Sequence, residues 1–158
     1  MSNRALAVET EPLSKDRLRL WLSLLKATRT VESELRERFR LDYGSTLPRF
    51  DVMSALSRFP DGLKMSELSG VLKVSNGNVT GIVDRLVAEG LVLRKPVPGD
   101  RRAARVLLTQ AGVSEFDRQA RAHENWIDEL LGSVNPADTQ SLAEVLRSIS
   151  NDKEEGSR

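Results

Sequence analysis

The chain has no cysteine and a single histidine, His123, among 158 residues. The missing cysteine excludes structural disulfides, thiolate zinc sites and thiol-based redox sensing. One histidine leaves any metal to scattered carboxylates, so no metal site is expected, and His123 reads as a helix-surface or interface residue. No run approaches the roughly 18 consecutive apolar residues that a membrane-spanning helix needs. Residues 1–12 carry no apolar core of the signal-peptide kind. The expectation is a soluble, cytoplasmic protein with no membrane partner. Also missing are a nucleophile elbow, a phosphate loop and a cysteine–histidine pair. Ser114 and His123 lie nine residues apart on one helical stretch, a spacing that does not bring side chains together. No enzyme chemistry and no cofactor are expected.

What the chain does have is 39% hydrophobic residues and a net charge of +1. That suffices for a core. Near-neutral overall charge is compatible with locally concentrated positive charge. The fold class read from the pattern is mainly α with a small β hairpin. Residues 1–12 carry no periodicity and read as a flexible arm. Ser14 is placed as a helix cap with Asp16 in the first turn. Leu18, Trp21, Leu22, Leu24, Leu25, Thr28, Val31, Leu35 and Phe39 then follow helical spacing up to a stop at Gly44. A helix of roughly 28 residues is ~42 Å long, more than a small core needs on one face.

Thr46 and Pro48 suit an N-cap and first turn. The next helix would carry Phe50, Met53, Leu56 and Phe59, and Pro60-Asp61-Gly62 forms a turn. Leu63 to Met65 reads as a very short strand. Ser66 is placed as the cap of a helix burying Leu68, Val71 and Leu72. Ser75 is placed as the cap of another, in which Val79, Ile82, Val83 and Leu86 form one inward stripe. Its opposite face presents Asn76, Gly77, Asn78, Thr80, Gly81, Asp84 and Arg85, and Gly90 ends it. Two β-favouring runs, 91–96 and 103–108, flank a longer-than-minimal loop, and Pro96 and Pro98 confine them to a sheet edge. Thr109 caps a long helix with Val113, Phe116, Ala120, His123, Trp126, Ile127, Leu130 and Leu131. Asn135-Pro136 opens the last helix, striped by Leu142, Val145, Leu146 and Ile149. Residues 152–158 form a charged tail.

Two helices meeting at a tight turn, followed by a basic hairpin, are the parts a duplex reader requires. Short polar side chains on a helix fit the major groove, and cations meet phosphates. Ser75, Asn76, Asn78, Thr80 and Arg85 supply the first, and Gly77 and Gly81 let the helix lie close. Two glycines inside a helix cost about 1 kcal/mol each against alanine, so their presence points to close approach by something large. From Arg94 to Arg105 the hairpin holds Arg94, Lys95, Arg101, Arg102 and Arg105 against one anion, Asp100. Arginines at such a tip fit the negative potential of a minor groove, and Asp100 is expected to brace an arginine. A solvated polar helix face and a solvated basic loop are the bland readings of each part alone.

The segment Val79-Thr80-Gly81-Ile82-Val83-Asp84-Arg85-Leu86, the exit Glu89-Gly90-Leu91-Val92, the wing Gly99-Asp100-Arg101-Arg102-Ala103 and the continuation Leu107-Leu108-Thr109-Gln110-Ala111-Gly112 resemble the multiple-antibiotic-resistance regulator (MarR) family. The resemblance covers residues 15–150. It implies a homodimer of winged helix-turn-helix subunits on a palindrome. It places Asn76, Asn78, Thr80 and Arg85 on the recognition helix and Asp100 and Arg102 together in the wing. It also implies a small effector, of the aromatic-acid or acyl-CoA kind. Trp21, Leu25, Arg29, Arg49, Phe50, Met53 and Trp126 are the candidates to meet one, with core packing or surface ion pairs as their ordinary alternative.

The organisation read from the sequence is a DNA-binding domain at 47–109 between dimerisation helices at 13–46 and 110–151. Leu18, Trp21, Leu22, Ile127, Leu142, Leu146 and Ile149 are the expected dimer contacts. Two copies about 34 Å apart read half-sites one helical turn apart. The function expected is a ligand-responsive transcriptional repressor bound to double-stranded DNA. The alternative is a winged-helix protein–protein adaptor, which needs no arginine pair at the wing tip.

Overall fold

The computed structural model describes residues 12–73 and 76–155, with the backbone alone described for residues 76, 77 and 153–155. Residues 1–11 of the arm expected at 1–12, the cap Ser75, and the side chains of Asn76 and Gly77 lie outside what is described, and Pro12 itself caps the first helix. Six helices and three strands follow in the order α1 (Leu13–Tyr43), α2 (Leu47–Ser57), β1 (Leu63–Lys64), α3 (Met65–Leu72), α4 (Asn76–Ala88), β2 (Val92–Val97), β3 (Asp100–Leu108), α5 (Gln110–Leu130) and α6 (Pro136–Glu155). Two units are distinguished, Met1–Phe50 and Asp51–Arg158. The division falls inside α2, and none falls at 109, where β3 runs into α5.

In the first unit α1 is 31 residues long, three more than its apolar spacing suggests. Its cap is Pro12 rather than Ser14. The Pro12 carbonyl accepts the Lys15 N–H at 2.8 Å, and proline at this point has no N–H to leave unsatisfied. The helix ends where expected, at Gly44 in the left-handed conformation (φ 55). Thr46 Oγ1 accepts the Arg49 N–H at 3.3 Å and starts α2. Phe39 and Phe50 are buried with ring centroids 4.9 Å apart. Towards its N-terminus α1 leaves Leu18, Trp21 and Leu22 more than half exposed.

In the second unit the core gathers Val52, Met53, Ala55 and Leu56 of α2, Leu63 of β1, Leu68 of α3, Val79, Val83 and Leu86 of α4, Val92 of β2 and Val106 of β3. Truncating such a leucine to alanine costs about 2–5 kcal/mol. The α4 stripe is as the spacing predicts, with Ile82 packed on its edge. Phe59 lies beyond the end of α2 and is exposed, since α2 stops at Ser57. Val71 is also exposed. Leu68 and Leu72, one turn apart, take the inward side of α3. Ser66 is not the cap of α3. The helix starts at Met65, and the Glu67 carboxylate accepts the Lys64 N–H at 2.9 Å.

The strands form one antiparallel sheet in the order β1-β3-β2. The hairpin differs from its expectation. Only Pro98 and Gly99 separate β2 from β3, and Val97 pairs with Asp100. Gly99 has φ 82, and Pro-Gly is the residue pair a type II turn takes. Such turns splay the strands they join. The ladder breaks directly after: Pro96 pairs with Ala104 while Val97 pairs with Asp100. Residues 101–103 therefore bulge from β3. Helix α5 is capped as expected by Thr109, whose Oγ1 accepts the Gly112 N–H at 3.0 Å. Asn135 Oδ1 accepts the Asp138 N–H at 2.9 Å and caps α6, which continues to Glu155 inside the stretch read as a tail.

Candidate nucleic-acid interface

Helix α4 turns its apolar stripe into the core, and this fixes what faces outward. Asn78, Thr80, Gly81, Asp84 and Arg85 are all exposed. An added Cβ at Gly81 would meet nothing within 4 Å, so nothing inside the described chain requires glycine there.

The hairpin cations separate into two groups. Arg94 on β2 is ion-paired through Nη2 with Asp84 Oδ1 on α4. Arg105 Nη1 donates to the Gly62 carbonyl at 3.1 Å, which ties β3 to the turn before β1. Lys95, Arg101 and Arg102 are exposed, as is the paired Arg94. The first three, outside that ion pair, are the hairpin's outward positive charge. Asp100 does brace an arginine, but by the backbone. Its Oδ1 accepts the Arg102 N–H at 3.0 Å, an Asx-turn that shapes the bulge. The Arg102 side chain takes no part in that bond and is exposed. Local sequence marks Arg101 and Arg102 at the tip as the DNA-facing pair but assigns no partner to Arg94 or Arg105. The structural roles of Arg94 and Arg105 depend on partners 10 and 43 residues away, which no local pattern carries.

The expected effector residues fall in both units. In the first, Trp21 and Arg29 are exposed, Leu25 and Arg49 half-buried and Phe50 buried. In the second, Met53 is part of the core and Trp126 is buried. Of the expected dimer residues, Leu18 and Leu22 on α1 and Leu142, Leu146 and Ile149 on α6 are exposed, and Ile127 on α5 is half-buried. His123 on α5 is half-buried, and desolvation holds its imidazole below the usual pKa of 6.5. One turn and two turns earlier on α5 sit Gln119, buried, and Glu115. The Glu115 carboxylate is held below its usual range by hydrogen bonds from Arg118 and Gln119, against some desolvation. The burial of Gln119 was not foreseen, since glutamine carries no apolar signal. Among the described residues no cluster of acidic, histidine or cysteine side chains is suited to a metal, and no helix is long and apolar enough to cross a membrane.

A family model described as MarR family matches residues 43–103. The transcriptional activatory protein BadR of Rhodopseudomonas palustris is 31% identical over 130 residues, covering 80% of this chain and 69% of BadR. A MarR family transcriptional regulator from Silicibacter pomeroyi, solved by crystallography, is 35% identical with a TM-score of 0.75, over 91% of this chain and 99% of that one. Sco3205 from Streptomyces coelicolor, a MarR family regulator solved in complex with DNA, is 24% identical with a TM-score of 0.77 over 92% of each chain. That last likeness is one of fold.

Proposed function

This chain belongs to the MarR family of transcriptional regulators, and from that premise we propose that it is a repressor which holds a palindromic operator as a homodimer. In this reading residues 47–109 read DNA, with α4 in the major groove and the wing in the minor groove. The residues that contact the duplex are Ser75, Asn76, Gly77, Asn78, Thr80, Gly81 and Arg85 of the helix-turn-helix, and Asp100, Arg101 and Arg102 of the wing. The observation that carries it is the joint exposure, on one unit, of Asn78 and Arg85 on α4 and of Arg101 and Arg102 in the bulge of β3. Amide and guanidinium groups pair with base edges in the major groove, and arginine suits a narrow minor groove.

The dimer reading is supported by the apolar stripe of α6. Leu142, Leu146 and Ile149 are each at least 42% exposed, more apolar area in one line than a solitary surface helix leaves to water. The same holds for Leu18 and Leu22 on α1. The final part of the reading is release by a small aromatic acid or related anionic ligand. Trp21, Leu25 and Arg29 on α1 support it, being spaced i, i+4 and i+8 and so sharing one face. They offer an aromatic ring, an apolar surface and a cation.

Selection of bound sequences from a random duplex pool by the purified protein tests the reading. A palindrome with half-site centres about one helical turn apart is expected. Absence of enrichment, with salt-insensitive binding, overturns it. With the selected duplex in hand, a panel of aromatic acids should displace the protein. Binding unaffected by every member removes the ligand response, and stimulated transcription from the bound promoter replaces repression with activation.

A further inference from the structure

The C-terminus of α4 is closed by a Schellman arrangement. Gly90, at φ 74, donates its N–H to the Val87 carbonyl at 3.0 Å, and Leu91 donates to Leu86 at 2.9 Å. The carbonyls of Gly90 and Leu91 remain, and both are taken by the segment that begins α5. The Thr109 hydroxyl donates to the Gly90 carbonyl at 2.7 Å while accepting the Gly112 N–H at 3.0 Å. The Thr109 N–H donates to the Leu91 carbonyl at 3.0 Å. Gly112 lies so close that a Cβ there would sit 1.9 Å from the Leu91 oxygen. One side-chain oxygen thus caps one helix at its start and holds another at its end.

We propose that Thr109 is a positioning residue that locks the end of α4 to the start of α5, so that any displacement of α5 moves the recognition helix without slack. The inference rests on the DNA-reading conclusion above. In a dimer joined by helices including α5, the separation of the two α4 copies is the quantity that half-site spacing reports. An N-cap alone would not need a donor, and aspartate performs that role as well as threonine. The second bond, to Gly90, needs the hydroxyl proton. An ionised carboxylate has none to give and would face a carbonyl oxygen. Thr109→Asp therefore separates the two roles. Thr109→Val removes both, and Thr109→Ser keeps both.

The test uses the full-length protein and two duplexes: the selected palindrome, and the same palindrome with one base pair inserted between its half-sites. Wild type and Thr109→Ser are expected to favour the first strongly. Thr109→Asp and Thr109→Val are expected to lose about tenfold or more of that preference, a coupling of ordinary allosteric size. A melting temperature near wild type for Thr109→Asp confirms that the cap survives. A spacing preference unchanged in Thr109→Asp and Thr109→Val overturns the proposal and leaves Thr109 as a cap only. A wild-type protein that selects no sequence overturns the DNA reading itself, a separate result. Hydrogen exchange on the wild type gives a variant-free check. The amides of Gly90 and Leu91 at the end of α4 and of Gly112 and Val113 at the start of α5 should open with one common free energy. Distinct opening energies on the two sides of Thr109 overturn the lock.

Discussion

Arg94 and Asp84 face each other across the junction of β2 and α4 and form an ion pair, so one of the hairpin's cations is engaged by α4 rather than by a ligand. Both side chains are more than a third exposed. An ion pair of that kind contributes about 0.2–1 kcal/mol to stability. Asp84→Ala should therefore leave the protein folded while releasing Arg94 to a phosphate and removing a negative charge from the helix face. The affinity for duplex DNA should rise, and the slope of log affinity against log salt should steepen by about 1. Titrations at four or five salt concentrations measure this. A slope equal to wild type would show that Arg94 stays away from the backbone even when unpaired.

Arg102 and Asn78 should fail differently. Arg102 lends its backbone to the Asx-turn, and its side chain is exposed, so Arg102→Ala should change stability by no more than the small range of surface substitutions, about 0.5 kcal/mol, and weaken binding to cognate and unrelated duplexes alike. Asn78→Ala should lower binding to the selected palindrome by the equivalent of about 1–3 kcal/mol and leave unrelated duplexes nearly unaffected. Competition against both duplexes separates the two. An Asn78→Ala loss equal on both would place Asn78 away from base edges.

Two glycine-to-alanine changes should move stability in opposite directions. At Gly81 there is open space and a helical backbone. Alanine there should stabilise by about 0.5–1 kcal/mol and, if α4 reads DNA as proposed, weaken DNA binding, because the added methyl stands on its outward face. At Gly112 the added carbon would lie 1.9 Å from a backbone carbonyl that cannot swing aside. Alanine there should destabilise by at least the usual overpacking cost of about 1–3 kcal/mol. Thermal melts rank all three proteins. A Gly81→Ala protein that is more stable and binds unchanged would remove close approach as the reason for that glycine.

The desolvated His123 makes stability fall on acidification. Its folded pKa lies below the usual 6.5, so the unfolded chain binds the proton more readily. The stability present above about pH 6.5 is then lost as pH falls through that value towards the lowered folded one. Glu115, also shifted downward, adds a loss of the same sign, but only below its ordinary 4.5. Melting curves between pH 7.5 and 5, about the interval where histidine alone titrates, should show the gap between wild type and His123→Gln changing with pH. A constant gap would mean that His123 is as well solvated folded as unfolded.

The parts legible in the sequence were those written in one periodicity. The α4 stripe of Val79, Val83 and Leu86, the Gly44 stop and the Thr109 cap all follow from spacing or cap chemistry, while the short strand expected at Leu63 to Met65 is a residue shorter, since Met65 already begins α3. The illegible parts were choices between neighbouring partners. Ser66 and Glu67 both suit a helix start, and the carboxylate took the bond. The wing looked like a long loop because arginines and a proline carry weak strand preference. Pairing of Val97 with Asp100 nevertheless carries both strands up to Pro98-Gly99. Thr109 was recognised as a cap, but its second bond, to Gly90, spans 19 positions and has no local signature.

The bulge at residues 101–103 has a consequence for how this hairpin can change. The ladder is in register on one side at Pro96–Ala104 and on the other at Val97–Asp100, so residues can be added or removed between Asp100 and Ala104 without reversing the alternation of any strand beyond them. The length of the arginine-bearing tip is thereby an adjustable parameter, independent of the sheet that holds it. Engineered versions of this chain can lengthen or shorten that reach while the core under the sheet stays as it is.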